Sequence, residues 1–395
     1  MTRLRPLAAV AAVSALLLTP AASACLWDTD TLWQERQEFP GTLELIVGKF
    51  PRHTDAFYEH RISTRGAALR LHALGERAMS AEDRAAAYDD LAVALDKLGR
   101  RDEALATLDK KVADVGELGE YETAANRGTI LIHAGRFEEG LGEIDRALAI
   151  NPDAHFGRER IQKLLVEYML EKKSDAEAMP APLAPIGPNR EGFAKFLQER
   201  KVSLKDGRKG VEGMMRFGDY RSPALLEALG DLLMAPQVTS EFPDPAAARL
   251  LASRAYLAAG RSAPEAADAF HELAATALQM QQIDGQDVET KQVAEALERE
   301  FAETDEWFEK VREDEALWIE KSPDPDARFQ EKYGVAILKV GDTSGRPSHI
   351  QDQWSADARH WPLDAAIGVG GLLTLAGIWA LIAWRRRSPS GWEGS

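Results

Sequence analysis

Two stretches of this chain repeat one another. Residues 85–118 read AAAYDDLAVALDKLGRRDEALATLDKKVADVGEL, and residues 121–154 read YETAANRGTILIHAGRFEEGLGEIDRALAINPDA. In each, a segment with helical apolar spacing runs to a glycine, Gly99 or Gly135, and a second such segment follows. That is the pattern of a helix–turn–helix unit. The glycines stand where the first helix ends and are expected at positive φ, which a residue with a Cβ resists. Ala92 and Gly128 are small enough to let the two helices of a unit approach closely. Pro152 stops the second helix of the second unit. One unit cannot bury its own apolar face, and at least about three are needed for a stable stack. The chain is therefore constrained to helix pairs laid side by side, with flanking helices completing the burial.

Those flanking helices are legible. Thr31 and Thr54 are plausible N-caps, and Pro40 and Pro51 punctuate short helices. Residues 54–78 read as a helix covering the open end of the stack, as a terminal repeat requires. RIQKLLVEYML at 160–170 fits the next helix after the pair, completing an N-terminal helical domain over 25–172. Residues 173–192, KSDAEAMPAPLAPIGPNREG, break the pattern and read as a linker or exposed loop. A second helical segment spans 193–321. It holds a helix pair joined near Gly218, a divergent third repeat at 246–278 (Ser253, Tyr256, Gly260), and a long acidic helix at 286–321. On that helix Leu297, Phe301, Phe308, Val311 and Trp318 follow a near-heptad spacing interrupted by Thr304 and Glu315. It is read as a cap packed on the stack, with a coiled-coil dimer as the alternative. Residues 322–361, with Pro323, Pro325, Gly341, Gly345 and Pro347, read as a stalk with little structure beyond a short strand at Val335–Val340.

Both ends carry membrane signals. Arg3 and Arg5, an apolar run from Leu7 to Leu18, and Ala22-Ser23-Ala24 are the parts of a signal peptide over 1–24. Cys25 follows at once. The arrangement resembles the lipobox of bacterial lipoproteins, with Ala22 in place of the usual Leu, and equally suits ordinary cleavage; lipidation of Cys25 stays open. As the single cysteine it forms no internal disulfide. At the other end 365–384, AAIGVGGLLTLAGIWALIAW, is free of charge and long enough to cross a bilayer of about 30 Å as a helix. Arg385, Arg386 and Arg387 place the tail 385–395 in the cytoplasm by the positive-inside rule. The expectation is a single-pass protein of a bacterial plasma membrane with an extracytoplasmic ectodomain. The chain carries 48 Lys+Arg against 64 Asp+Glu, net −16. That balance argues against nucleic acid and against adsorption to anionic headgroups.

The tandem units resemble the tetratricopeptide repeat. Tyr88, Leu91, Ala92, Leu95, Gly99, Ala104 and Leu108, then Ala124, Gly128, Leu131, Gly135, Phe137, Ile144, Ala147 and Pro152, fall on the family's packing positions. Arg127, Lys111 and Gly116 depart from it, and the units start 36 residues apart rather than 34. CLWDTDTL at 25–32, GKFPRHTDAFYEHRI at 48–62 and NPDAHFGRERIQ at 151–162 resemble a group of exported bacterial repeat proteins. The resemblance implies an all-α, helical-repeat solenoid ectodomain and no particular activity.

No catalytic pattern stands out. There is no G-x-S-x-G, no H-E-x-x-H, no G-x4-G-K-[ST], no cysteine cluster and no calcium loop. No enzyme, metal, cofactor or small-molecule substrate is expected. A repeat stack of this kind presents its first helices to a groove. Here that places Asp89, Val93 and Asp96 of the first unit beside Ala125, Asn126, Thr129 and His133 of the second. Asp89 and Asp96 would repel a carboxylate, so the expected partner is a neutral or basic peptide or protein. The alternatives are a cell-envelope scaffold that self-associates through the long helix, and, remotely, an unrecognised enzyme.

Overall fold

The computed structural model describes residues 41–152, 157–173, 179–184, 186, 192–236, 245–279, 282–283 and 286–333. These form α-helices: α1 (Thr42–Val47), α2 (Asp55–Ala73), α3 (Ala81–Lys97), α4 (Arg101–Val115), α5 (Glu120–His133), α6 (Phe137–Ile150), α7 (Arg158–Lys172), α8 (Phe193–Glu199), α9 (Leu204–Met214), α10 (Pro223–Met234), α11 (Pro245–Ser262), α12 (Ala267–Ala277), α13 (Thr290–Lys321) and α14 (Pro325–Tyr333). A two-residue antiparallel pairing of Gln282–Ile283 with Gln286–Asp287 is the sole strand structure among the described residues. The fold class is all-α, as expected. The signal segment, Cys25, Thr31, His155, the strand expected at 335–340, the apolar stretch 365–384 and the tail lie outside the described residues. Among the described residues no helix is long and apolar enough to cross a membrane.

Local chemistry sets the helix boundaries. Thr54 caps α2 by accepting from the Phe57 N–H at 3.3 Å. Ser80 and Asp83 form a reciprocal capping box at the start of α3. The hairpins α3–α4 and α5–α6 have the same turn, 36 residues apart. Gly99 stands at φ +74° and Gly135 at φ +75°. The Arg100 N–H reaches the Leu95 carbonyl at 2.8 Å, and the Arg136 N–H reaches that of Leu131 at 2.9 Å. Arg100 then forks onto Glu103 (2.7 and 2.8 Å), and Arg136 onto Glu139 (2.7 and 2.6 Å). The second hairpin closes where two glycines face each other. A Cβ on Gly128 would stand 3.0 Å from the Gly140 carbonyl oxygen. One on Gly140 would stand 2.9 Å from that of Gly128 and 2.6 Å from Ile132 Cγ1. Gly140→Ala is therefore expected to destabilise by about 1–3 kcal/mol, less the roughly 1 kcal/mol of helix propensity regained. Gly142→Ala, whose Cβ meets nothing within 4 Å, is expected to stabilise slightly. Thermal unfolding of the two variants checks the opposite signs.

The main apolar core spans the expected linker. It runs from Leu45, Ile46 and Phe50 through Ile132, Ile144 and Leu165 to Leu225, Leu229, Phe270 and Leu297. Within 173–192, Met179, Leu183 and Ala184 are buried, and the Leu183 N–H donates to both Glu227 carboxylate oxygens (2.8 and 2.9 Å). At these residues the segment is packed against the helices rather than exposed, because its apolar side chains match the surface they cross. After α9 the helix widens into a π turn over Met215–Asp219. Lys97 Nζ donates to the carbonyls of Phe217 (2.6 Å) and Gly218 (2.8 Å), satisfying acceptors left over at that helix end.

The long helix begins at Thr290, not 286, and packs on α1, α2, α11 and α12 within its own chain. Its buried residues are Val293, Leu297, Thr304, Phe308, Val311, Glu315 and Trp318. Thr304 and Glu315 are thus part of the buried face instead of breaks in it. The first residues of the expected stalk form α14, with Phe329 buried against Trp318 at 6.4 Å between ring centroids.

Candidate functional site

Helical spacing aligns Asp89, Val93 and Asp96 on α3 and Asn126, Thr129 and His133 on α5, and the two stripes meet. His133 Nδ1 lies 2.7 Å from Asp96 Oδ2, and Asn126 Nδ2 donates to Asp89 Oδ1 at 3.4 Å. None of the six is more than 9 % exposed, and Ala125 is buried with them. The expected open groove lined by these side chains is instead a closed seam. The physical reason is that α3 and α5 lie in contact, so groups spaced to face a groove face each other.

The seam is completed by residues to which the sequence assigned no role of this kind. Lys111 of α4, fully buried, donates to Asp89 at 2.7 Å and to the Gly119 carbonyl at 3.2 Å. Gln162 of α7 donates to Thr129 Oγ1 at 3.2 Å, and the Tyr121 hydroxyl donates to Glu159 at 2.8 Å. Arg158 lies over the Phe217 ring at 4.5 Å. Burial pushes the Asp89 carboxyl up to about 7, against the opposing pull of Lys111. Burial also acts to raise Asp96, but His133 and Arg101 outweigh it and hold that carboxyl below its ordinary value. Arg216, near the Phe50 ring at 5.5 Å, is lowered by burial to about 10. A buried charge needs such pairing to be tolerated. The departure of Lys111 from the repeat pattern was the one available signal of this network.

A second constellation joins the two ends of the described chain. Glu315 of α13, fully buried, accepts from His53 Nδ1 (2.6 Å), the Thr54 N–H (2.8 Å) and the Thr54 hydroxyl. Its carboxylate therefore sits at the N-terminus of α2, where the helix dipole favours an anion. His53 stacks on Phe57 at 3.6 Å and leans on Phe329 at 4.2 Å. One turn along α2, Arg61 donates to Asp326 of α14 at 3.0 Å. Arg65 bridges Asp90 (2.9 Å) and Asp326 (3.5 Å). Arg52 lies 3.6 Å over the Phe308 ring. The 48–62 stretch is thus the clasp that holds α13 and α14. Among the described residues no group of three or more His, Cys, Asp or Glu is arranged to hold a metal. No protein-family model, no curated protein and no solved structure matches the chain.

Proposed function

We propose that this chain is a tetratricopeptide-type protein–protein interaction module, exported and anchored in a bacterial plasma membrane by its C-terminal apolar stretch. The observation that carries the reading is the hairpin repeated at 36 residues, with the same glycine conformation, turn bond and Arg–Glu fork. Repetition of this kind builds a surface for another chain rather than a reaction centre. The six inner residues hold α3 against α5, so a partner meets the outer helices α4 and α6. Their exposed residues include Asp102, Glu103, Asp109, Glu138 and Glu139. That favours a neutral or basic partner. The coiled-coil reading of 286–321 loses support, because its apolar face is spent within the chain.

The test is photocrosslinking in intact cells, with the probe at Ala106 or Gly142 and a control at Ala302, all exposed. The expected result is one discrete partner, captured from the first two positions alone and lost when Asp102 and Glu138 are changed to Lys. Equal capture from Ala302, or capture indifferent to the charge reversal, sinks the reading.

A further inference from the structure

The chain is acidic, net −16, and its arginines commonly pair with its own carboxylates: Arg65 meets Asp90, Arg127 meets Asp109, and Arg254 forks onto Glu300. Arg52 and Arg221 do otherwise. Among the described residues neither guanidinium is in an ion pair, and both converge on one neutral oxygen, the Tyr220 hydroxyl. Arg52 Nη2 donates to it at 3.3 Å and Arg221 Nε at 2.8 Å. Both lone pairs of the phenol are thus taken, which leaves its proton for an acceptor that lies beside two cations.

The three side chains are held in place. The Tyr220 ring lies on the bare backbone of Gly48, where a Cβ would stand 2.4 Å from Tyr220 Cε2 and 2.8 Å from the hydroxyl oxygen. It meets Phe50 edge-on at 5.7 Å between centroids. Arg52 donates from Nη1 to the carbonyls of Gly48 and Phe50, and its guanidinium lies 3.6 Å over the Phe308 ring and 4.9 Å over that of Tyr220. The π turn before Tyr220 adds Arg216, which shares the Phe50 ring at 5.5 Å. Such turns recur at functional sites. Burial first, and the neighbouring Arg221 and Arg312 after it, lower the Arg52 guanidinium against the pull of Tyr220 and Asp305. The nearby acids are engaged elsewhere: Glu309 holds Arg312 at 2.5 Å, and Asp219 takes the Arg221 backbone N–H at 2.9 Å.

We infer that Arg52, Tyr220 and Arg221 form a binding site for a phosphate group, whose oxygens accept from both guanidinium groups and from the Tyr220 hydroxyl. Exposed Arg221 is the open side, and half-buried Arg52 and Tyr220 are the floor. Donors converging from two planar forks and a phenol suit a tetrahedral anion with several acceptor oxygens. A carboxylate fits less well: the chain carries 64, and none of the described ones is paired with either guanidinium. Net charge does not foretell such a site, because it averages the whole surface while a bound anion responds to charges within about 8 Å. The inference is independent of the partner of α4 and α6 and of the membrane anchor.

Isothermal titration calorimetry of the full-length chain in a maltoside detergent, which carries no phosphate, tests it. Glycerol 3-phosphate is the probe and acetate the control anion. The expected result is saturable binding of glycerol 3-phosphate, with acetate weaker by about tenfold or more. Arg221→Gln, at an exposed position, should weaken binding by on the order of 10- to 100-fold. Tyr220→Phe keeps the ring on Gly48 and should weaken it by about three- to tenfold. Arg261→Gln alters another exposed arginine over an aromatic ring, that of Phe301, and should change nothing. Phosphatidylglycerol added to the micelles separates two sources of the phosphate. Loss of probe binding assigns the site to a lipid headgroup, and unchanged binding assigns it to a soluble phosphate. Three results overturn the inference: no saturable binding up to about 10 mM probe, equal affinity for acetate, or a Kd indifferent to both Arg221→Gln and Tyr220→Phe.

Discussion

Lys111→Met is expected to cost about 3–5 kcal/mol at pH 8, the usual loss when one partner of a buried ion pair is removed. Lys111 is fully buried and its ammonium is 2.7 Å from Asp89. Methionine keeps most of the volume, so the loss is electrostatic and carries a pH signature. With Lys111 present the Asp89 carboxyl is already raised to about 7 from 3.8 by burial. Without the cation it rises further. Between the unfolded and folded values the native state holds a proton that the unfolded state releases, so stability falls as pH rises. Below about pH 4 Asp89 is protonated in both states and contributes no pH dependence. The gap between wild type and Lys111→Met should therefore stay level from about pH 4 to 6, where both native states hold the proton, and widen above about pH 7, where only the wild-type carboxyl ionises. Urea denaturation across that range measures it. A gap that does not change with pH would assign Lys111 a packing role instead. The pair Asp89→Asn with Lys111→Met removes both charges and is expected to recover most of the loss, since no lone ion stays buried.

That seam shows where sequence reasoning succeeds and stops. Local rules decided the hairpin geometry: Gly99 and Gly135 had to end helices, and both adopt positive φ. Gly128 was legible as a close-approach point, and its Cβ space is indeed filled by Ile144 and Gly140. Leu297, Phe308, Val311 and Trp318 were legible as one buried face because their spacing is helical. What periodicity cannot supply is the distance to the next helix. Asp89, Asn126 and His133 occupy a common stripe whether α3 and α5 part around a ligand or close on each other. Their burial came from a lysine on a third helix and a glutamine on a fourth. Glu315 posed the same problem in reverse. A lone acid in an apolar heptad reads as a break until the N-terminus of α2, 261 residues away in sequence, arrives to bind it.

Glu315→Ala is the change expected to separate the strap α13–α14 from the body. It removes the acceptor of three donors, His53 Nδ1, the Thr54 N–H and the Thr54 hydroxyl, at a site closed to solvent. Donors left buried without acceptors cost about 1–3 kcal/mol each, and the N-terminus of α2 loses its anion as well. A total of about 3–5 kcal/mol follows. The loss is expected to be local. The cluster Phe308, Val311, Trp318 and Phe329 does not belong to the main core, so the outer strap can open while α10, α11 and α12 stay packed. Hydrogen exchange of the full chain should accelerate by on the order of 100- to 1,000-fold over 305–333 and the first turn of α2, at about 1.4 kcal/mol per factor of ten, with little change in α10. Glu315→Gln keeps the size and one good acceptor oxygen, and should give a smaller acceleration in the same places. Uniform acceleration through α10 would mean that strap and body unfold as one unit, and that the clasp is a general support rather than a joint.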